Sequence, residues 1–375
     1  MGAANKSLIP FIHILRGVAP LLVVWAHLGG AWYAGTHKAV LPVFATFREW
    51  FSTPLRLTGD GAHLAVMVFF IISGFIISHV GQTGSRIDFI LRRSVRILPT
   101  LFLTISITWL IAVCSETLGI TPFYGNKAQS AGDYIATALS YIFAIDYRRS
   151  ALGPVWSLYV EFIFYGIFAI WMMVARPRPV LATIGMLASV AMILAPVIFS
   201  QYAADQATFT GYLPFFIIGR AMYLYQRSTL SLGGLVGITT ASIAMLFWVF
   251  EQTRPGYLTG DVPFEPIVTY IAAPIIFFAA LKANIERVPA PLMFLGNISY
   301  ALYLIHEPIG NFAMNALFDA GVELNIVVAA GIAASFITAA IVTLYFERPI
   351  QKLARNLRSR PKVPANLQSP QLPAS

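Results

Sequence analysis

Arg16, His27, Glu161, Arg220, His306 and Glu307 sit inside otherwise apolar stretches of the chain. An ionisable group within a lipid-spanning segment costs on the order of 3 kcal/mol, so each is a candidate for chemistry. His27 suits a general base or a nucleophile, because an imidazole exchanges protons near neutral pH. Arg16 precedes it at R-x10-H spacing. On an α-helix that interval returns to within roughly 20° of the same face, about 16 Å away along the axis. The plain reading is that Arg16 snorkels to the headgroups and His27 bonds a neighbouring helix.

Glu161 falls at a similar depth. Its helix should begin near Pro154, which puts the carboxylate about 10 Å in by helical rise. Ser157, Glu161 and Tyr165 recur at i, i+4 and i+8 and form one polar stripe. A carboxylate level with His27 can hold the imidazole's tautomer or its positive charge; it can also be a simple tie between helices. Arg93 and Arg96 stand at i, i+3 in a basic connection, and guanidinium forks suit phosphates, although such clusters also serve as topology signals against lipid headgroups. Ser73-Gly74 adds a small pair inside a span, as close helix packing would require.

These residues need helices in lipid to hold them. Of the chain's 375 residues, 58% are hydrophobic and only 11% charged, against about 25% charged in a soluble domain. That composition excludes an ordinary cytosolic enzyme, a disordered chain and a nucleic-acid binder. A crossing needs about 20 apolar residues. Stretches 17–37, 61–85, 97–115, 179–204, 228–250 and 324–346 contain no Lys, Arg, Asp or Glu. Stretches 154–175, 209–226, 265–282 and 294–317 each hold or abut one ionisable residue. The expectation is an all-α polytopic membrane protein of about ten helices. The run 134–145 is too short to cross and suits an interfacial or re-entrant segment.

With the N-terminus cytoplasmic, Lys and Arg fall overwhelmingly on the inner side and the outer segments are net acidic. Both termini are therefore expected inside. The net charge of +9 then reports topology and contact with anionic lipid, not nucleic acid. The first apolar segment lacks a convincing cleavage site and should remain as a helix. Residues 1–350 read as one membrane domain and 351–375 as a basic, Pro- and Ser-containing cytoplasmic tail without fixed structure. Cys114 is the lone cysteine, so no disulfide or CxxC site arises.

Taken in order, the polar pieces resemble the membrane acyltransferase-3 family from about residue 10 to 350. Arg16 and His27 supply its R-x10-H, Ile72-Ser73-Gly74-Phe75 its second-helix signature, and Arg93-Ser94-Val95-Arg96 its R-x-x-R. Val155-Trp156-Ser157-Leu158-Tyr159-Val160-Glu161 is similar to the W-S-L-x-x-E block. Leu295 to His306 is similar to the late L-G-x-x-S-Y-x-x-Y-L-x-H helix, and Glu347-Arg348-Pro349 matches the closing E-x-P. The resemblance implies O-acylation of a saccharide or lipid-linked glycan, often with an acetyl group, by an enzyme of the bacterial inner membrane. No cofactor is held, and acyl-coenzyme A is the co-substrate. It implies His27 as base with Arg16 as companion, and Arg93 and Arg96 on the coenzyme's phosphates. Ser73 is expected beside the donor, and Glu161 is expected to join the catalytic group. Trp156, Ser157, Tyr300 and His306 support. No metal is expected. Rival readings are a multi-pass transporter using the same intramembrane charges, and an intramembrane acyltransferase acting on lipids or proteins.

Overall fold

The computed structural model describes residues 9–32, 41–120, 132, 152–254 and 265–359. Among them every regular element is helical. The expected run 134–145 lies outside the described residues, as does 360–375.

Local sequence sets the helix ends. Helix α1 (Pro10–Val24) starts with proline at its first turn, where the missing N–H is not needed. It runs on as a wider π-helical turn, Trp25–Ala31, which carries His27. A short α2 (Pro42–Phe47) precedes α3 (Ala62–Val80). Helix α4 (Arg86–Leu118) opens on a reciprocal cap between Ser85 and Asp88 and stops at Gly119, whose φ of 67° is left-handed. A turn at Gly153–Val155 leads into α5 (Trp156–Ala175).

The second half comprises α6 (Pro179–Leu194), α7 (Gln201–Thr210), α8 (Pro214–Gln226), α9 (Leu232–Thr253) and α10 (Glu265–Lys282). It closes with α11 (Ala290–Asp319), α12 (Leu324–Val342) and α13 (Arg348–Ser359), the last two joined by a π-helical turn, Thr343–Glu347. Among the described residues, seven helical segments are long and apolar enough to cross a membrane. The remaining expected stretches, 209–226, 265–282 and 294–317, also coincide with helices. One is short, one has only a 16-residue apolar part by its bounds Ile267–Lys282, and α11 is diluted by buried polar residues. The first nine residues of the expected tail are helical in α13, because Ile350, Leu353 and Ala354 recur at helical spacing between basic residues.

Core and lipid-facing surfaces follow from burial. Phe215, Phe216, Ile217, Ile218 and Arg220 of α8 are fully buried, so this short helix lies at the centre of the bundle. Ile184, Met192, Val236, Trp248 and Ile275 point outward, as expected where hydrocarbon replaces water. Gly74 of α3 lies on the Phe216 carbonyl of α8, and Gly219 of α8 on the Ile71 carbonyl. Neither position has room for a Cβ, which is the small-residue packing that Ser73-Gly74 suggests. Arg220 belongs to this scaffold. It donates to Thr183 Oγ1 at 2.8 Å, Pro179 O at 3.1 Å and Ser78 Oγ at 3.4 Å, and lies over the Phe168 ring.

Candidate active site

Helices α1 and α11 run parallel and in close contact. A Cβ on Gly17 would stand 2.8 Å from the Leu292 carbonyl, and one on Gly296 would stand 2.9 Å from that of His13. Up the same seam Arg16 donates to Ser299 Oγ at 3.0 Å, His27 meets His306 at 3.0 Å, and Trp32 donates to Asn315 at 2.7 Å. Arg16 and His27 therefore do share one face, and that face is turned to α11.

Hydrogen-bond partners fix the protons around His27. His306 Nδ1 lies 3.1 Å from the Leu302 carbonyl and 2.9 Å from that of Tyr303. Carbonyls only accept, so His306 Nδ1 carries the proton and its Nε2 accepts. His27 Nδ1 is 3.0 Å from that Nε2 and 2.9 Å from Glu307 Oε1. It faces acceptors on both sides and must donate. In the neutral ring, Nε2 of His27 is then left as the basic nitrogen, with no hydrogen-bond partner among the described residues. The His27 side chain is 30% exposed and that of Glu307 8%, while His306 is wholly buried. The His27 ring is reachable; His306 and Glu307 are not. The three side chains bring ligand-type atoms within 4.8 Å of one another. The His27 Nδ1 contacts, 3.0 Å to His306 Nε2 and 2.9 Å to Glu307 Oε1, have hydrogen-bond lengths. The trio reads as a proton-sharing set.

Glu161 lies elsewhere. Its Oε1 accepts from Ser73 Oγ at 2.8 Å and from Tyr165 OH at 2.7 Å. The carboxylate in contact with His27 is Glu307, so the expected Glu161–His27 pairing is corrected. Matching depths place two groups at one level but say nothing about which helices adjoin.

Glu161 instead lines a cavity of about 360 Å³ together with Arg16, Ser73, Arg93, Arg96, Ser157 and Tyr300. Helices α3 and α5 descend side by side, with Phe70 against Trp156 and Gly81 against Phe168. Helix α4 then returns upward after the turn at 81–85. Ile9, His13, His79, Arg93 and Arg96 therefore gather at one end of the cavity, and Val66, Phe69, Ser157, Leu158 and Tyr303 at the other. Arg93 is buried, with Phe89 and Tyr165 rings beside its guanidinium at 5.9 and 5.6 Å. Its neighbour Arg92 turns away and donates to Thr83 O at 3.3 Å, so only the i, i+3 pair faces inward. Arg16 lies within electrostatic range of Arg96, Glu347, Glu161 and Arg93. That brings the carboxylate of the E-x-P segment to the cationic end.

Tyr303 forms the wall between this cavity and the His27 group. Its phenol donates to Pro154 O at 2.8 Å, Ser157 Oγ stands 2.8 Å from the phenol oxygen, and its ring centroid is 6.3 Å from that of His306. Tyr300 donates to Ile97 O at 2.9 Å and ties α11 to α4. Trp156 does not line the cavity. It packs among Phe70, Phe209 and Tyr212. Sequence reasoning named Glu307 among the intramembrane charges without giving it a partner, and assigned no role to Tyr303 or His63. His63 lies within electrostatic range of His27 and carries a buried Nδ1 with no hydrogen-bond partner among the described residues. Glu307 was visible as an intramembrane charge next to His306, which was its only signal.

The comparisons with known proteins fit this arrangement. The family model described as "Acyltransferase domain" matches residues 9–345. The chain belongs to this acyltransferase family. It is also 25% identical to "Acyltransferase MdmB" of Streptomyces mycarofaciens over 277 residues, which cover 67% of this chain and 69% of that protein. No solved structure matches. The membrane helices and the family together make the chain a multi-pass membrane acyltransferase.

Proposed function

We propose that this acyltransferase moves an acyl group, acetyl being the simplest, from acyl-coenzyme A to a hydroxyl of a saccharide or lipid-linked glycan. It would do so in the bacterial inner membrane, with about ten crossings and both termini cytoplasmic. The observation that carries the reading is the two-ended cavity, with guanidinium groups at one end and the His27 group just past the other. Polyanionic phosphates suit Arg16, Arg93 and Arg96 through charge-assisted hydrogen bonds. The interval from Arg16 to His27, about 16 Å along α1, suits the extended arm that separates a coenzyme A phosphate from its thioester.

The chemistry follows from the proton assignment. His27 Nε2 takes the proton of the acceptor hydroxyl as its oxygen attacks the thioester carbonyl carbon. The C–S bond breaks, and the departing thiolate takes that proton back from His27. Coenzyme A leaves as the free thiol and the acceptor leaves as an ester. The acyl arm comes to His27 from the cavity, past the edge of Tyr303, and the acceptor comes from the opposite side of His27.

The test is reconstitution in lipid vesicles with labelled acetyl-coenzyme A and a panel of mono- and disaccharides. Thiol release matched one-for-one by acetylated sugar is the expected result. Sugar movement across the bilayer without thioester consumption would support the transporter reading instead.

A further inference from the structure

A histidine that acts as a base must keep its other ring nitrogen protonated and held. For His27 the holding groups come from α11, and they differ in kind. His306 Nε2 is a neutral acceptor, its own proton committed to the Leu302 and Tyr303 carbonyls. Glu307 Oε1, 2.9 Å from the same His27 Nδ1, is a carboxylate. Hydrogen bonds to an ionised acceptor are roughly twice as strong as neutral ones, and only a carboxylate gains attraction when the ring becomes an imidazolium.

Glu307 is itself held from behind. Its side chain is buried, and the turn that begins α5 lies directly on it: a Cβ added at Gly153 would stand 2.5 Å from Glu307 Oε2 and 3.1 Å from Cδ. Backbone without a side chain is what allows this approach. The same turn supplies Pro154 O to Tyr303 and leads into Ser157. One short turn thus fixes both the wall of the cavity and the carboxylate beyond it.

We propose that Glu307, backed by Gly153, is the positioning residue of His27: it accepts the Nδ1 proton, leaves Nε2 free as the base, and stabilises the imidazolium formed during transfer. This rests on the role of His27 in the proposed function. A purely structural tie between α1 and α11 would predict something different, namely lower folded yield or weaker donor binding with the chemical step intact.

The experiment uses the full chain in lipid nanodiscs, with acetyl-coenzyme A as donor probe and the saccharides the wild type acetylates. Replacing an orienting carboxylate by its amide lets an N–H point at the imidazole and favours the wrong tautomer. Glu307→Gln should therefore lower kcat about 10²–10⁴-fold, with KM for acetyl-coenzyme A changed by no more than about twofold. Glu307→Asp should recover part of that loss. Gly153→Ala should lower kcat in the same way but less. In protein labelled with ¹⁵N-histidine, the His27 signal, assigned by its absence in His27→Ala, should report a bare Nε2 in the wild type and lose that state in Glu307→Gln. Should Glu307→Gln fail to fold, Glu307→Asp and Gly153→Ala decide the matter through the same kcat and tautomer readouts. Wild-type kcat together with an unchanged tautomer would overturn the proposal. If His27→Ala is inactive while the Glu307 variants are normal, only the positioning role fails. If His27→Ala itself turns over, the proposed function is what fails.

Discussion

Ser73 of α3 donates to Glu161 of α5 at 2.8 Å, and this bond sets Glu161 in the arginine-lined cavity and not beside the histidine. Under the proposed function, a carboxylate there competes with donor phosphates for the same guanidinium groups. Glu161→Gln keeps an oxygen for Ser73 and Tyr165 but removes the charge. It should tighten acetyl-coenzyme A binding by a few fold, about 1 kcal/mol of relieved repulsion, and cut turnover by less than about tenfold. Donor titration alongside single-turnover transfer checks this. A loss as large as that of His27→Ala with unchanged donor affinity would return Glu161 to the histidine.

The inward pair Arg93 and Arg96 should govern donor affinity. Each charge-assisted contact is worth about 1.5–3 kcal/mol, so Arg93→Ala with Arg96→Ala should weaken acetyl-coenzyme A binding by at least about tenfold. Lys at both positions should restore only part, for want of the planar fork. Arg92→Ala is the control: its side chain serves the 81–85 turn, and donor affinity should stay at the wild-type value. Isothermal titration in detergent or nanodiscs reads all three.

Arg16 and Ser299 share a hydrogen bond but should not share a phenotype. Arg16→Ala removes a cation from the cavity, and high donor concentration should recover part of the lost rate. Ser299→Ala removes one partner of that cation, and Ser299 also donates to the Gly296 carbonyl at 2.9 Å, so donor KM should rise by only a few fold. Rate against donor concentration separates the two.

The crossing of α3 and α8 should tolerate nothing larger than glycine. Gly74→Leu forces a side chain into the Phe216 backbone and should destabilise by about 1–3 kcal/mol or more. Thermal unfolding in detergent measures it. A variant as stable as wild type would show that the two helices can part without loss.

Much of this was legible in residue types and spacing. Among the described residues the charge-free stretches of spanning length are helical, 179–204 as two helices, and Arg93 and Arg96 turn to one side as their interval requires. Arg16 and His27 met the same neighbour although a π-helical turn intervenes at Trp25–Ala31. Helix ends were less legible. Charge-free runs place the starts of α1 and α4 too late, because Arg16, Arg93 and Arg96 lie within helices whose charged faces line a cavity. The partner of His27 was not legible. Depth along a helix axis can be read from a single chain, but adjacency across helices comes from packing. Here the bare backbone at Gly17 and Gly296 brings α11, and with it Glu307, against α1. Ser157 and Tyr165 fell on the expected stripe with Glu161, yet only Tyr165 bonds to it; Ser157 went to Tyr303.

The central claim is that His27 carries the chemical step while the arginines carry the donor. The most direct measurement is acetyl-coenzyme A affinity and single-turnover acetyl transfer on the same folded preparation of His27→Ala. The account predicts donor binding within about twofold of wild type and transfer reduced by about 10²–10⁴-fold. Transfer at a near-normal rate, or donor binding lost together with it, would contradict the account.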